Sequence, residues 1–388
     1  MILMSSFCMA GIKFLDNPEW TKVLAQAKKE NKIIFLDAYA TWCGPCKTMD
    51  AETYTDAAVA DFYHANFINV KYDMEKGEGP SLGEKYDVMA YPTMLYINGD
   101  GELLHKGVGF QVAADFLSLG KTAANPQTQY YTAKKNALSL SPADFLKFAE
   151  AAADLQDEEL PQLSQKYIAQ QSDVLASKDL INLLMEFVNV LPNEKTLAYI
   201  FEHQDRIREL GGYEQKNIDE RLITLSLGYA ISANTVEEDN TVNLEGVKSI
   251  LDKYLGDEAY FIYHYFATQY EFEMGSYGQA MVNFNLLLDA PSSKVKFTQL
   301  CNTVMSFSEM LIQQNKLEET LTKLDAIQLP EAEAGAAYLK DLVRAVSYLK
   351  AKEVDKFNVV ADRMISSPAT PDAIKGQLKM AKENATKQ

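Results

Sequence analysis

Residues 33–46 read Ile33-Ile34-Phe35-Leu36-Asp37-Ala38-Tyr39-Ala40-Thr41-Trp42-Cys43-Gly44-Pro45-Cys46. The apolar run 33–36 is short and does not alternate with polar residues, the mark of a strand covered on both faces. A Cys-x-x-Cys pair follows it closely. Pro45 fits the first turn of a helix, where its missing N–H breaks no hydrogen bond. The pair is therefore placed at the start of a helix, just beyond a buried strand. Two cysteines at this spacing suit a redox pair or half of a zinc site. Zinc wants four ligands at defined spacings. No second Cys-x-x-Cys exists, and His64, His105, His203 and His264 are scattered, so the redox reading is preferred and no metal is expected.

Working outward, residues 12–15 read as a short strand and Pro18 opens a helical stretch to residue 30. Residues 43–66 read as helical with a break near 53–56. A strand over 67–72, a Gly-rich loop over 74–80 and a short helix around 82–86 come next. Strands over 93–97 and 102–106 flank Asn98-Gly99-Asp100-Gly101, a hairpin turn signal. A helix over 112–121 closes the series. This order predicts an α/β fold, a mixed sheet flanked by helices.

The chain has 388 residues, room for two or three domains at about 150 residues each. Hydrophobic residues are 47% and charged residues 23%, ample for a core and contrary to disorder. A net charge of −17 argues against a nucleic-acid or anionic-membrane surface, which needs Lys and Arg. Four cysteines are too few for a disulfide scaffold, and isolated Cys301 reads as an inert buried thiol. No apolar run is long enough to span a bilayer. Residues 1–10 resemble the back half of a secretory signal, with Cys8-Met9-Ala10 as a cleavage site before Gly11. They lack a basic n-region, so a plain apolar N-terminus is the alternative.

After Asn125-Pro126 only helical spacing appears. Four stretches share apolar positions three, seven and ten residues after the first: Leu244/Val247/Leu251/Tyr254, Tyr277/Ala280/Phe284/Leu287, Leu317/Thr320/Leu324/Ile327 and Val354/Phe357/Ala361/Met364. Thr320 breaks the apolar rule. The second stretch resembles the second helix of a tetratricopeptide repeat, although Thr268 stands where that family has Gly. The expectation is an all-α helical-repeat, TPR-like domain over 126–388, against an irregular helical bundle. The expected domains are thus 1–10 as a signal remnant, 11–124 as the α/β domain and 126–388 as the helical domain.

Cys43 at a helix N-terminus meets unpaired N–H groups and the positive dipole end, which stabilise a thiolate. It is read as the exposed nucleophile, with Cys46 one turn along as the resolving thiol. Flanked as Trp42-Cys43-Gly44-Pro45-Cys46-Lys47, the pair resembles the thioredoxin family, and the resemblance covers residues 11–122. It implies that Asp37 is a buried acid taking the Cys46 proton; a purely structural carboxylate is the alternative. The family pairs this acid with a strand lysine. Aligning on Asp73 puts Asn69 at that place, with Lys71 two residues on along the same face, a departure that bears on how proton transfer is tuned.

The resemblance further implies a cis bond at Pro92, with Tyr91 and Pro92 offering substrate a backbone edge, and Gly109 leaving room for substrate to approach. Trp42 lids the site, Gly44 and Pro45 support it, and Tyr39 either supports it or fills the core. The implied function is a thiol–disulfide oxidoreductase of reductase or isomerase type. It acts on protein disulfides, uses no cofactor beyond the Cys43–Cys46 dithiol, and needs an upstream electron donor. The expected compartment is the periplasm or another extracytoplasmic space of a bacterium, with the cytoplasm as the alternative. The rival class is a protein-binding module or redox-regulated adapter that engages a partner through the helical domain.

Overall fold

The computed structural model describes residues 11–236, 238–329 and 331–385; the signal-like residues 1–10 lie outside them. Five strands form one sheet: β1 (Leu15–Asp16), β2 (Ile33–Tyr39), β3 (Phe67–Asp73), β4 (Thr93–Ile97) and β5 (Leu103–Val108). Their order is β1-β3-β2-β4-β5, so β2 is central. It runs parallel to β3 and antiparallel to β4, which places Asp37 between Lys71 and Met94. The helices are α1 (Trp20–Glu30), α2 (Gly44–Thr48), α3 (Ala57–Asn66), α4 (Gly79–Lys85) and α5 (Ala113–Ala124).

Strand alternation sorts β2 onto two cores. Ile34, Leu36 and Ala38 pack with Val70, Tyr72, Leu95 and Ile97 beneath Trp20, Val23 and Ala27 of α1. Phe35 packs on the other face with Met49, Tyr54, Tyr63, Tyr96 and Phe116. Its ring lies 5.0 Å from Tyr63, 5.4 Å from Tyr96 and 5.4 Å from Phe116. Asp37, two residues on, shares Phe35's face, so a carboxylate emerges at the rim of an aromatic core. Burial continues past the expected strand ends, and β2 and β3 extend to Tyr39 and Asp73. β1 is shorter than expected, beginning at Leu15.

The helix after the cysteines breaks where the sequence suggested, but with an unforeseen device. A π-helical turn, Met49–Thr53, follows α2, closed by the Tyr54 N–H donating to the Met49 carbonyl at 2.9 Å. Asp56 then caps α3, accepting from the Val59 N–H at 3.0 Å.

The chain divides into two compact units. One runs to Pro192 and adds His203–Ile218; the other comprises Asn193–Glu202 and the residues from Asp219 onward. The first unit therefore carries helices beyond the change of character at Asn125-Pro126. Helix α6 (Tyr130–Lys135) is tied to β5, its Tyr130 N–H donating to His105 Nδ1 at 3.1 Å.

In the second unit three of the four repeated stretches start helices after the same turn. Gly275, Asn315 and Lys352 have φ of 74°, 53° and 59°. After them the N–H groups of Ser276, Lys316 and Glu353 donate to the carbonyls of Glu271, Leu311 and Tyr348 at 2.8, 2.7 and 2.9 Å. This closure caps one helix and turns the chain into the next, giving Tyr277–Leu288, Leu317–Ala326 and Val354–Ser366. Thr320 is buried in place of the apolar residue, whereas Tyr277, first in its phrase, is 42% exposed.

Phe35→Ala should cost about 3–5 kcal/mol, because the sheet cannot collapse onto the vacated ring. Urea unfolding measures this; a loss below about 1 kcal/mol would contradict the central place given to Phe35.

Candidate active site

β2 ends at Tyr39 and the chain turns through Ala40 to the cysteines, the Cys43 N–H donating to the Ala40 carbonyl at 3.0 Å. Cys43 caps α2 from an extended backbone, φ −68° and ψ 109°, and its Sγ accepts the Cys46 N–H at 3.1 Å. Gly44 and Pro45 form the first turn. Cys43 and Cys46 are joined in a disulfide. The expectation of an exposed Cys43 is corrected for this oxidised state: Cys43 is 2% and Cys46 3% exposed, packed with Ala40, Tyr39 and Tyr91. What separates the two sulfurs is the backbone amide directed at Cys43.

Asp37 is 1% exposed, and its Oδ2 lies 3.3 Å from Lys71 Nζ. Burial pushes its carboxyl up to about 6, and Lys71 pulls the other way. The lysine expected at the Asn69 position therefore comes from Lys71, directly opposite Asp37 in the β2–β3 register. Asn69 is structural, donating to the Tyr63 carbonyl at 3.2 Å. Lys71 also bonds Asp50 of the π-turn, and its ammonium lies 4.9 Å from the Tyr39 ring, 5.5 Å from Phe14 and 5.6 Å from Tyr54. Sequence reasoning had no signal for Asp50, because a π-turn leaves no periodic trace. Tyr39 thus touches both the disulfide and the lysine.

The loop before β4 meets the pair from the other side. The Tyr91-Pro92 peptide is cis, and the Gly109 N–H donates to the Pro92 carbonyl at 2.9 Å. Gly109 has φ of 88°, and a Cβ there would meet nothing within 4 Å, so space opens beside it. Trp42 is 66% exposed; its ring lies edge-on to Tyr91 at 5.9 Å and its Nε1–H donates to Glu75 Oε1 at 2.7 Å. The Gly-rich loop places Glu75 there: the Met74 N–H donates to the Tyr39 carbonyl at 2.8 Å, and a Cβ on Gly79 would fall 2.0 Å from the Asp73 carbonyl. Met89, Val108 and Phe110 are also exposed on segments flanking Pro92 and Gly109. A cavity of about 1030 Å³ opens beside Met89 and Ala90, bounded by Lys106, Val108 and the 154–159 turn.

Cys301 is fully buried in the second unit and burial pushes its thiol up to about 12. No cluster suited to a metal occurs among the described residues. No helix among them is long and apolar enough to cross a membrane.

The family model Thioredox_DsbH, described as "Protein of unknown function, DUF255", matches residues 13–101. Thioredoxin of Staphylococcus epidermidis is 40% identical over 103 residues, 26% of this chain and 88% of its own length. Thioredoxin-1 of Drosophila melanogaster is 38% identical over 74 residues, 19% of this chain, and the chain spans 64% of its length. A solution structure from Bacteroides thetaiotaomicron is 41% identical, covering 30% of this chain and 95% of that one, with a TM-score of 0.28.

The raised Asp37 carboxyl has a consequence for stability. Its folded value, about 6, lies above the ordinary 3.8, so its neutral form stabilises the fold at low pH. That contribution is lost as pH rises through about 6. Asp37→Asn should therefore gain on the wild type by about 2–3 kcal/mol between about pH 4 and pH 8. Urea unfolding at both values measures the difference; a pH-independent difference would contradict the assignment.

Proposed function

We propose that this chain, a member of the thioredoxin family, is a thiol–disulfide oxidoreductase that reduces or rearranges disulfides of protein substrates through Cys43 attack and Cys46 resolution. The observation that carries the reading is the Cys46 N–H directed at Cys43 Sγ at 3.1 Å. In the dithiol state this amide and the α2 N-terminus favour a thiolate on Cys43.

The thiolate attacks one sulfur of a substrate disulfide and expels the other as a thiolate, leaving Cys43 in a mixed disulfide. Cys46 gives its proton to Asp37 and attacks Cys43 Sγ. The second substrate sulfur leaves as a thiolate, and Cys43–Cys46 is the disulfide seen here. Two electrons have passed to substrate, so an external dithiol donor must reduce the pair again. A carboxyl lifted to about 6 suits the Asp37 step, since it accepts a proton near neutrality better than an ordinary Asp.

Exposed Trp42, Met89, Val108 and Phe110 offer an apolar docking collar, and Tyr91, Pro92 and Gly109 the backbone edge within it. The second unit supplies specificity: repeated helix pairs build extended surfaces for protein partners, and tethering such a surface raises the local concentration of a bound disulfide. An extracytoplasmic setting agrees with the signal-like residues 1–10.

Cys46→Ser should accumulate mixed disulfides with substrate proteins and Cys43→Ser should not. Non-reducing gels followed by mass spectrometry show this, and equal trapping by both variants would reverse or void the assignment. A chain ending at Pro192, which removes the whole second unit, should keep the full-chain rate on a small aromatic disulfide and lose rate on protein substrates. Equal loss on both, with the shortened chain still folded, would place part of the chemistry beyond Pro192.

A further inference from the structure

Asp50 is half-exposed on the π-turn four residues after Cys46 and shares the ammonium of Lys71 with buried Asp37. Lys71 itself is only 13% exposed, held beneath Phe14, Tyr39 and Tyr54. One cation thus serves two carboxylates, one buried in the central strand and one open to water. A π-turn inserted in a helix is frequently a functional feature, and here it carries the outer carboxylate over β3.

We propose that Asp50 is a positioning residue for the resolving step: by taking part of the Lys71 charge, it leaves Asp37 a strong enough base to accept the Cys46 proton. The inference rests on the reading of Asp37 as that base. Undivided, a lysine ammonium 3.3 Å from Asp37 would hold it ionised and weakly basic. Without any lysine, burial alone would hold it neutral and useless at neutral pH. The shared cation sets a value between these limits. Asp37 faces Lys71 from β3, Asp50 from the π-turn and the Tyr54 phenol beyond that turn. Burial, with Asp16 and Asp73 behind it, pushes the neighbouring Tyr39 phenol up. No proton needs to pass through Lys71; the effect is electrostatic.

The two neighbours must then act with opposite sign. Carboxyl-carbon NMR titration of Asp37 in the oxidised full chain is the test, paired with the pH dependence of mixed-disulfide resolution by stopped flow. Asp50→Asn should move the Asp37 midpoint, and the acid limb of resolution with it, down by about one pH unit. Lys71→Met should move both up by a similar amount, and Asp50→Glu should restore the wild-type midpoint. General damage to the π-turn would shift both variants in one direction. An unmoved midpoint in Asp50→Asn, with Asp37→Asn still abolishing the acid limb, overturns this inference alone. An acid limb that survives in Asp37→Asn overturns the inference together with the reading of Asp37 as base.

Discussion

The amide of Cys46 points at the sulfur of Cys43 across 3.1 Å, and much of the first unit serves to hold that contact at the end of a sheet. A helix N-terminus has unpaired donors that need an acceptor. Here the acceptor is the side chain of the capping residue, a sulfur in place of the usual hydroxyl or carboxylate. The cap that completes the helix is therefore also the group whose charge the helix stabilises. β2 fixes where this happens, because Ile34, Leu36 and Ala38 are committed to one core and Phe35 to the other. A slip of one residue would exchange the faces and carry Asp37 to the wrong side.

Asp37 is where stability yields to chemistry. A carboxylate in the central strand is costly to ionise, and the chain keeps it with a lysine that is itself caged by three rings. An apolar residue there would pack without penalty and could not take a proton. The cost falls on the folded state above about pH 6, and the gain falls on the resolving thiol.

Local signals in the sequence were enough for the four longer strands, the hairpin at Asn98-Gly99 and the helix after the cysteines, because each depends on neighbours in the chain. The Asp37–Lys71 pair was legible only in half. Aligning on Asp73 pointed to Asn69, and only the β2–β3 register shows that Lys71 stands opposite Asp37. Asp50 and Glu75 were invisible because a π-turn and a loop tied to Tyr39 bring them in. Cys43 was expected to be exposed, yet Ala40, Tyr39 and Tyr91 pack around the oxidised pair. The repeated phrases of the second unit did locate helix starts, since a left-handed residue and a helix cap are local devices.

The central claim is that the fold makes Cys43, not Cys46, the reactive thiolate. Alkylation of the reduced full chain with iodoacetamide, followed across pH and mapped by peptide mass, tests it most directly. The account predicts that Cys43 reacts first, with a midpoint below the ordinary thiol value of about 8.5, and that Cys46 stays protected while the fold persists. Cys46 reacting as fast as Cys43, or a Cys43 midpoint at the ordinary value, would contradict it.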